Sequence, residues 1–250
     1  MLSIYDSRVQ AAAEVRPSLG RALRVRVSAA ADGVLGLSDL RRYLVADLVR
    51  RTGQLHRLAV SLDSDAEGRY LTALNIHPPE QATLAADGAD LCVVDAGTEP
   101  AGQAAPAESA SRWMVLGPTA AEAADLGQPL AALAERGLDP LALRLAFLEH
   151  HYRQSLDLTW DEVVEADGTL RDWRHQVAVW AMEPSKPMAA RYRAELTGAF
   201  DDDLDSPAAL RSLRALAADG EIPPGSKFET AAWVDQLLGL DMVSEVGRVA

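Results

Sequence analysis

Lysine is nearly absent from this 250-residue chain: of its 24 basic residues only Lys186 and Lys227 are lysines. Cysteine is scarcer still. Cys92 stands alone, which excludes an internal disulfide and any cysteine-rich zinc site. No apolar run approaches the roughly 18 residues that a membrane span needs, so no membrane partner is expected. The opening "MLSIYDSRVQ" has neither a basic segment nor an apolar one, so no signal peptide is expected and the cytoplasm is the default compartment. Positive charge as a whole is short. A formal net charge of −13 argues against general nucleic-acid binding, because neutralising phosphates supplies most of that affinity. The densest basic cluster is Arg41, Arg42, Arg50 and Arg51, which a helix would carry either as a solvated face or as an arginine-lined one.

Apolar residues, by contrast, are plentiful. At 48% hydrophobic and 24% charged the chain can bury a sizeable core, and its length admits one large domain or two of ordinary size. Four short apolar runs read as buried strands: "LRVRV" (23–27), "LAVSL" (58–62), "DLCVV" (90–94) and "RWMVL" (112–116). Between the first two, residues 39–52 carry Leu40, Leu44 and Leu48 at helical spacing, so a right-handed strand-helix-strand crossover in a parallel sheet is expected. Residues 96–111 are small, polar and proline-containing, and read as a loop.

Beyond Asp139 the pattern predicts helices alone. Asp139 is a cap with Pro140 at the first helical position, and Leu141, Leu145, Leu148 and Tyr152 share a face. Ser206 and Pro207 repeat the device after the acidic "DDDLD", and further helices are expected over 160–181, 187–199 and 227–239. The division expected is a nucleotide-fold domain over 1–135 and an α-helical domain over 136–250.

The helical half carries the recognisable residues. "DPLALRLAFLEHHYRQ" contains Asp-Pro, a following arginine and His-Tyr-Arg, and "FDDDLDSPAAL" follows later. Both resemble segments of cysteinyl-tRNA synthetases and of their relatives the mycothiol ligases, which join cysteine to a glucosaminyl-inositol. "LSIYDSRVQ" and "RYLVADLVRR" are similar to the same family's opening and first helix. The resemblance is good over about 110 C-terminal residues and patchy before that. It implies an α/β fold: a class I aminoacyl-tRNA synthetase-like Rossmann domain followed by an α-helical domain.

It also implies what is missing. On the family pattern Ser28 stands where a zinc-binding cysteine would be. Gly36, Leu37, Ser38 and Asp39 replace His-Ile-Gly-His, and Asp39 puts negative charge where triphosphate would lie. The second signature maps to "AEAADLGQ", where Ala121 and Ala124 replace its two lysines, groups that would stabilise charge developing on pyrophosphate. In "GADLCVVDAGTE", Asp95 takes the place of a zinc-binding histidine and Glu99 that of a glutamate, while the insertion holding the remaining cysteine is lost. Serine with two carboxylates is a poor zinc set, although Asp95 and Glu99 could hold a harder cation. Trp113 either lines an amino-acid pocket or packs on the sheet. With the zinc and ATP sites lost, no cofactor is expected.

Other leads are weaker. "GVLGLSD" fails the Gly-x-Ser-x-Gly pattern, and Gly33 with Gly36 reads as a common turn flanked by acids, with an anion-binding turn as the lesser alternative. His150 and His151 point about 100° apart on a helix, so packing suits them better than metal ligation. Cys92, between apolar residues, reads as a core thiol.

The function expected is therefore a catalytically degenerate member of this family, a binding, regulatory or partner-stabilising pseudoenzyme. A protein partner is implied, with a small amino-acid or adenylate-like ligand as a further candidate. The ligand-pocket candidates are Ser28, Gly36, Asp39, Arg41, Asp95, Glu99 and Trp113. Two alternatives stay open: an ATP-dependent ligase of altered chemistry using Arg41, Arg42 or Arg112 on phosphate, and a chain whose site a partner subunit completes.

Overall fold

The computed structural model describes all residues except 8, 19, 29–34, 65–70, 81–87, 98–111 and 249–250. Its first elements, β1 (Ser3–Asp6) and β2 (Ala11–Glu14), pair as an antiparallel hairpin. β3 (Ala22–Val27) then leads through α1 (Leu37–Leu55) to β4 (Ala59–Asp63), and β5 (Leu91–Asp95) and β6 (Arg112–Leu116) complete a parallel sheet of order β4-β3-β5-β6. All four expected strands are there, shifted by at most one residue. Because β4 lies on one side of β3 and β5 on the other, the order reverses between β3 and β5. Such a switch point opens a crevice at the carboxyl ends of the strands.

The sheet is unequally covered. Leu23, Val25 and Val27 alternate inward onto α1 and the main core. On the opposite face Arg24 and Arg26 pair with Asp90 and Asp63, beside a small cluster of Ala89, Cys92 and Val94. Cys92 is buried in β5, as a core thiol should be.

The chain continues through β7 (Thr119–Ala121), a 3-10 turn at Ala124–Gly127, α2 (Pro129–Arg136), α3 (Pro140–Leu148), β8 (Leu156–Leu158), α4 (Trp160–Trp180), α5 (Ala190–Asp201), α6 (Ser206–Ala218) and α7 (Pro224–Leu238). Asp139 caps α3 by accepting the Leu141 N–H at 2.8 Å. For α6 the cap is Asp205, which accepts from Ala208 at 2.9 Å, one residue earlier than the expected Ser206. The expectation of helices alone after Asp139 needs correction. β8 is a strand, with Leu156 and Leu158 buried and Asp157 exposed, because it pairs in parallel with β7. A three-residue alternation is too short to outweigh the helical patterns around it in the sequence.

The two halves meet at a buried carboxylate. Asp47 of α1 receives Arg50, Arg51 and, from α3, the fully buried Arg144 at 2.9 Å. Arg144 also donates to the Leu238 and Leu74 carbonyls, and Arg51 to those of Gln236 and Asn75. Burial raises the Asp47 pKa, but the three guanidinium groups outweigh it and hold the value at about 2. Buried residues from both halves form one continuous hydrophobic cluster. No helix among the described residues is long and apolar enough to cross a membrane.

Candidate functional site at the sheet's switch point

Ser28 directly follows β3, its N–H extending the ladder to the Val93 carbonyl at 3.2 Å. Asp95 is the last residue of β5, so hydroxyl and carboxylate flank the crevice. α1 begins at the same end with Gly36 as its N-cap, in extended backbone. Asp39, at the third helical position, accepts the Gly36 N–H at 2.9 Å. A helix N-terminus favours an anion there through its free N–H groups, and here the chain's own carboxylate takes that place.

Arg42 ties these groups together. It donates to Ser28 Oγ at 2.7 Å, pairs with Asp39, and sets Nε 3.4 Å from Asp95. Both Arg42 and Asp39 are buried. Burial pushes the Asp95 carboxyl above the usual carboxylate range, and the Asp39 charge adds to that, against the opposing pull of Arg42 and Arg41.

Arg41, one residue earlier, points the other way. It donates to the carbonyls of Gly117, His151 and Gln154 and to Thr119 Oγ1, over 2.9–3.3 Å. Burial lowers its pKa to about 10, so it stays charged at neutral pH. Gly117 is required at this contact: a Cβ there would lie 2.3 Å from the Gln154 backbone. Arg112 stands at the amino end of β6 and donates to the Ala13 and Glu14 carbonyls, far along the strand from the crevice.

Of the candidate residues, then, Ser28, Gly36, Asp39 and Asp95 are brought together. Arg41 is turned away from them onto the 151–154 turn. Trp113 lies near the start of β6, packed against the Ala89, Cys92 and Val94 cluster. Glu99 and Gly33 lie outside the described residues. Among the described residues no three His, Cys, Asp or Glu side chains are grouped to hold a metal ion. Of the second signature's positions, Ala121 ends β7 and Ala124 opens the 3-10 turn, whose Asp125 binds Arg136 and Trp160 Nε1.

The segments that carry the resemblance converge elsewhere, on Asp203 of "DDDLD". Its carboxylate accepts from Tyr152 Oη at 2.5 Å and from the Tyr5 N–H at 2.8 Å, and pairs with Arg153 Nε at 2.7 Å. The Asp203 N–H donates to the Ser3 carbonyl, and Arg153 lies over the Tyr5 ring at 4.5 Å. In the sequence "DDDLD" reads as a helix start, and Arg42 as part of a solvated or arginine-lined helix face or as a phosphate contact. The i, i+3 spacing of Asp39 and Arg42 was the available signal for the second. Nothing local in the sequence signals the first.

The described residues thus build a Rossmann-like, class I synthetase-type α/β domain with a helical part. Comparison with known proteins agrees with that class. Over 109 residues, 42% of this chain, it is 38% identical to the L-cysteine:1D-myo-inositol 2-amino-2-deoxy-alpha-D-glucopyranoside ligase of Thermomonospora curvata, a stretch covering 25% of that relative. The ligases of the same name from Streptosporangium roseum and Nocardiopsis dassonvillei are 39% and 38% identical over 108 and 112 residues, 42% and 43% of this chain and 26% of each relative. These are mycothiol ligases, so the resemblance holds. The chain spans about a quarter of the length of the curated relatives it matches. No family model matches it.

Proposed function

We propose that this chain is a catalytically degenerate relative of the mycothiol ligases and cysteinyl-tRNA synthetases, acting in the cytoplasm as a binding, regulatory or partner-stabilising protein. One observation carries this reading: Arg42 bonds Ser28 and Asp39 and lies in ion-pair contact with Asp95 across the switch point. Zinc does not fit this set. A hydroxyl and a carboxylate already bound to a guanidinium offer neither thiolate nor imidazole. ATP fits no better, since Asp39 takes the Gly36 N–H and adds negative charge beside it. A ligase of altered chemistry needs arginines free to meet phosphate, and Arg41, Arg42 and Arg112 are all engaged by the protein.

The experiment is calorimetric titration of the purified chain with a non-hydrolysable cysteinyl-adenylate mimic, with and without zinc, beside a cysteine-dependent ATP–pyrophosphate exchange assay. The expected result is no exchange and no saturable binding of the mimic. Measurable exchange would overturn the reading. Binding without exchange would keep the pseudoenzyme and make it a sensor of such a ligand.

A further inference from the structure

A second cleft, of about 700 Å³, lies between the turn that follows α3 and the first half of α6. Its size falls within the roughly 300–1,000 Å³ typical of small-molecule sites. Glu149, His151, Arg153, Gln154, Asp205 and Arg211 line it. The charges of these side chains differ in how far the protein already uses them.

Each acid has at least one partner within the protein. Glu149 is paired with Arg214, and Asp205 caps α6 through the Ala208 N–H. Asp203, behind the cleft, is occupied by Tyr5, Tyr152 and Arg153. His151 accepts the Arg153 N–H at Nδ1, and its Nε2 faces Asp203 at 3.7 Å. Burial lowers the His151 pKa, so the ring is uncharged at neutral pH.

The two arginines retain their donors. Arg153 is held by Nε on Asp203 and by its face on Tyr5, which leaves both terminal nitrogens without an acceptor among the described residues. Its side chain is 44% exposed. Arg211, on the facing helix, is exposed and likewise has no acceptor among them. A guanidinium fixed along one edge with its outer fork free suits two-point recognition of a carboxylate or phosphate. The exposed amide of Gln154 can serve the body of such a ligand.

From this pattern of committed acids and uncommitted arginines we propose that the cleft binds a small molecule bearing one oxyanion, a phosphate ester or a carboxylate, between Arg153 and Arg211. The formal net charge of −13 favours a small anion over a polyanion, because long-range repulsion from the rest of the chain grows with the ligand's charge. The proposal stands apart from the switch-point reading and involves none of its residues.

Calorimetry of the full chain with inorganic phosphate, glucose 6-phosphate, succinate and uncharged glucose tests it. Saturable binding of at least one anion is expected with Kd below about 1 mM, and none of glucose. Arg211→Gln should weaken it about tenfold or more, as loss of a charge-assisted hydrogen bond does, with the urea midpoint unchanged. Arg153→Gln should weaken it similarly, and Arg191→Gln on α5 should leave it as it is. Preference for glucose 6-phosphate identifies a phosphate ligand, and preference for succinate a carboxylate. No saturable binding of any anion up to about 10 mM overturns the proposal, as does binding that survives Arg211→Gln unchanged. Because Arg211 has no partner to lose, misfolding does not blur that last result.

Discussion

Asp47 and Asp95 are both carboxylates set among arginines, yet burial and charge combine on them with opposite signs. Asp47 falls from 3.8 to about 2, so it contributes stability that is full above pH 3.8 and lost as pH drops toward 2. Asp47→Asn would strand Arg50, Arg51 and Arg144 without a counter-charge, and should cost about 3–5 kcal/mol at pH 7. Urea unfolding between pH 7 and 3 checks this: the gap between wild type and variant should narrow only below about pH 4. Asp95 is raised, so its ionised form opposes folding above its folded-state pKa, and that opposition fades as pH falls through it. Asp95→Asn should therefore match or exceed wild-type stability at pH 7, and lose any advantage in acid. A variant clearly less stable at pH 7 would mean that its pairing with Arg42 dominates. Arg42→Ala is the sharper case. It leaves Asp39 and Asp95 facing each other and should destabilise by about 3 kcal/mol or more in the same assay.

At the scale of elements, α1 explains why the architecture was legible and the site only partly so. Leu40, Leu44 and Leu48 announced the helix, and the β-branched runs on either side announced the strands it joins. The strand-helix-strand order then fixed where a crevice must open. Four of the seven pocket candidates gather there for that reason: each sits at a strand end or in the first turn of α1. Arg41 does not, because adjacent helical residues diverge by about 100° and Arg42 takes the inward direction. That choice depends on Gly117 and the 151–154 turn, contacts more than 70 residues away that no local pattern reveals. Asp203 was hidden for the same reason. Its partners Tyr5 and Tyr152 come from two other segments, and a run of aspartates before a helix reads as a cap. The C-terminus of α7 supplies a further prediction. Gly239 has φ +67°, and a Cβ there would lie 2.8 Å from the Arg144 guanidinium. Gly239→Ala combines left-handed strain with that clash and should lower stability by roughly 1–3 kcal/mol, read from the urea midpoint.

For the whole molecule, the bonds that join the halves matter more than the chain's order. Asp47 with Arg144, and Asp203 with Tyr5, run from the first half to the second, and one hydrophobic cluster spans both. We propose that the units at 1–135 and 136–250 unfold together. Scanning calorimetry should give a single transition, with calorimetric and van't Hoff enthalpies equal. Two resolved transitions would show independent units. The segments quoted above for their resemblance to the mycothiol ligases include those that make these joints.

Arg41 and Arg42 have a consequence for motion. Helix ends ordinarily fray, exchanging their first amide protons with solvent far faster than the helix middle. The first turns of α1 are pinned from two sides at once, by Arg42 to the sheet and by Arg41 to the turn after α3. The Leu40 N–H, bonded to the Gly36 carbonyl, should therefore exchange on the timescale of global unfolding. At that site the chain would behave less like a lid waiting to open than like a rivet.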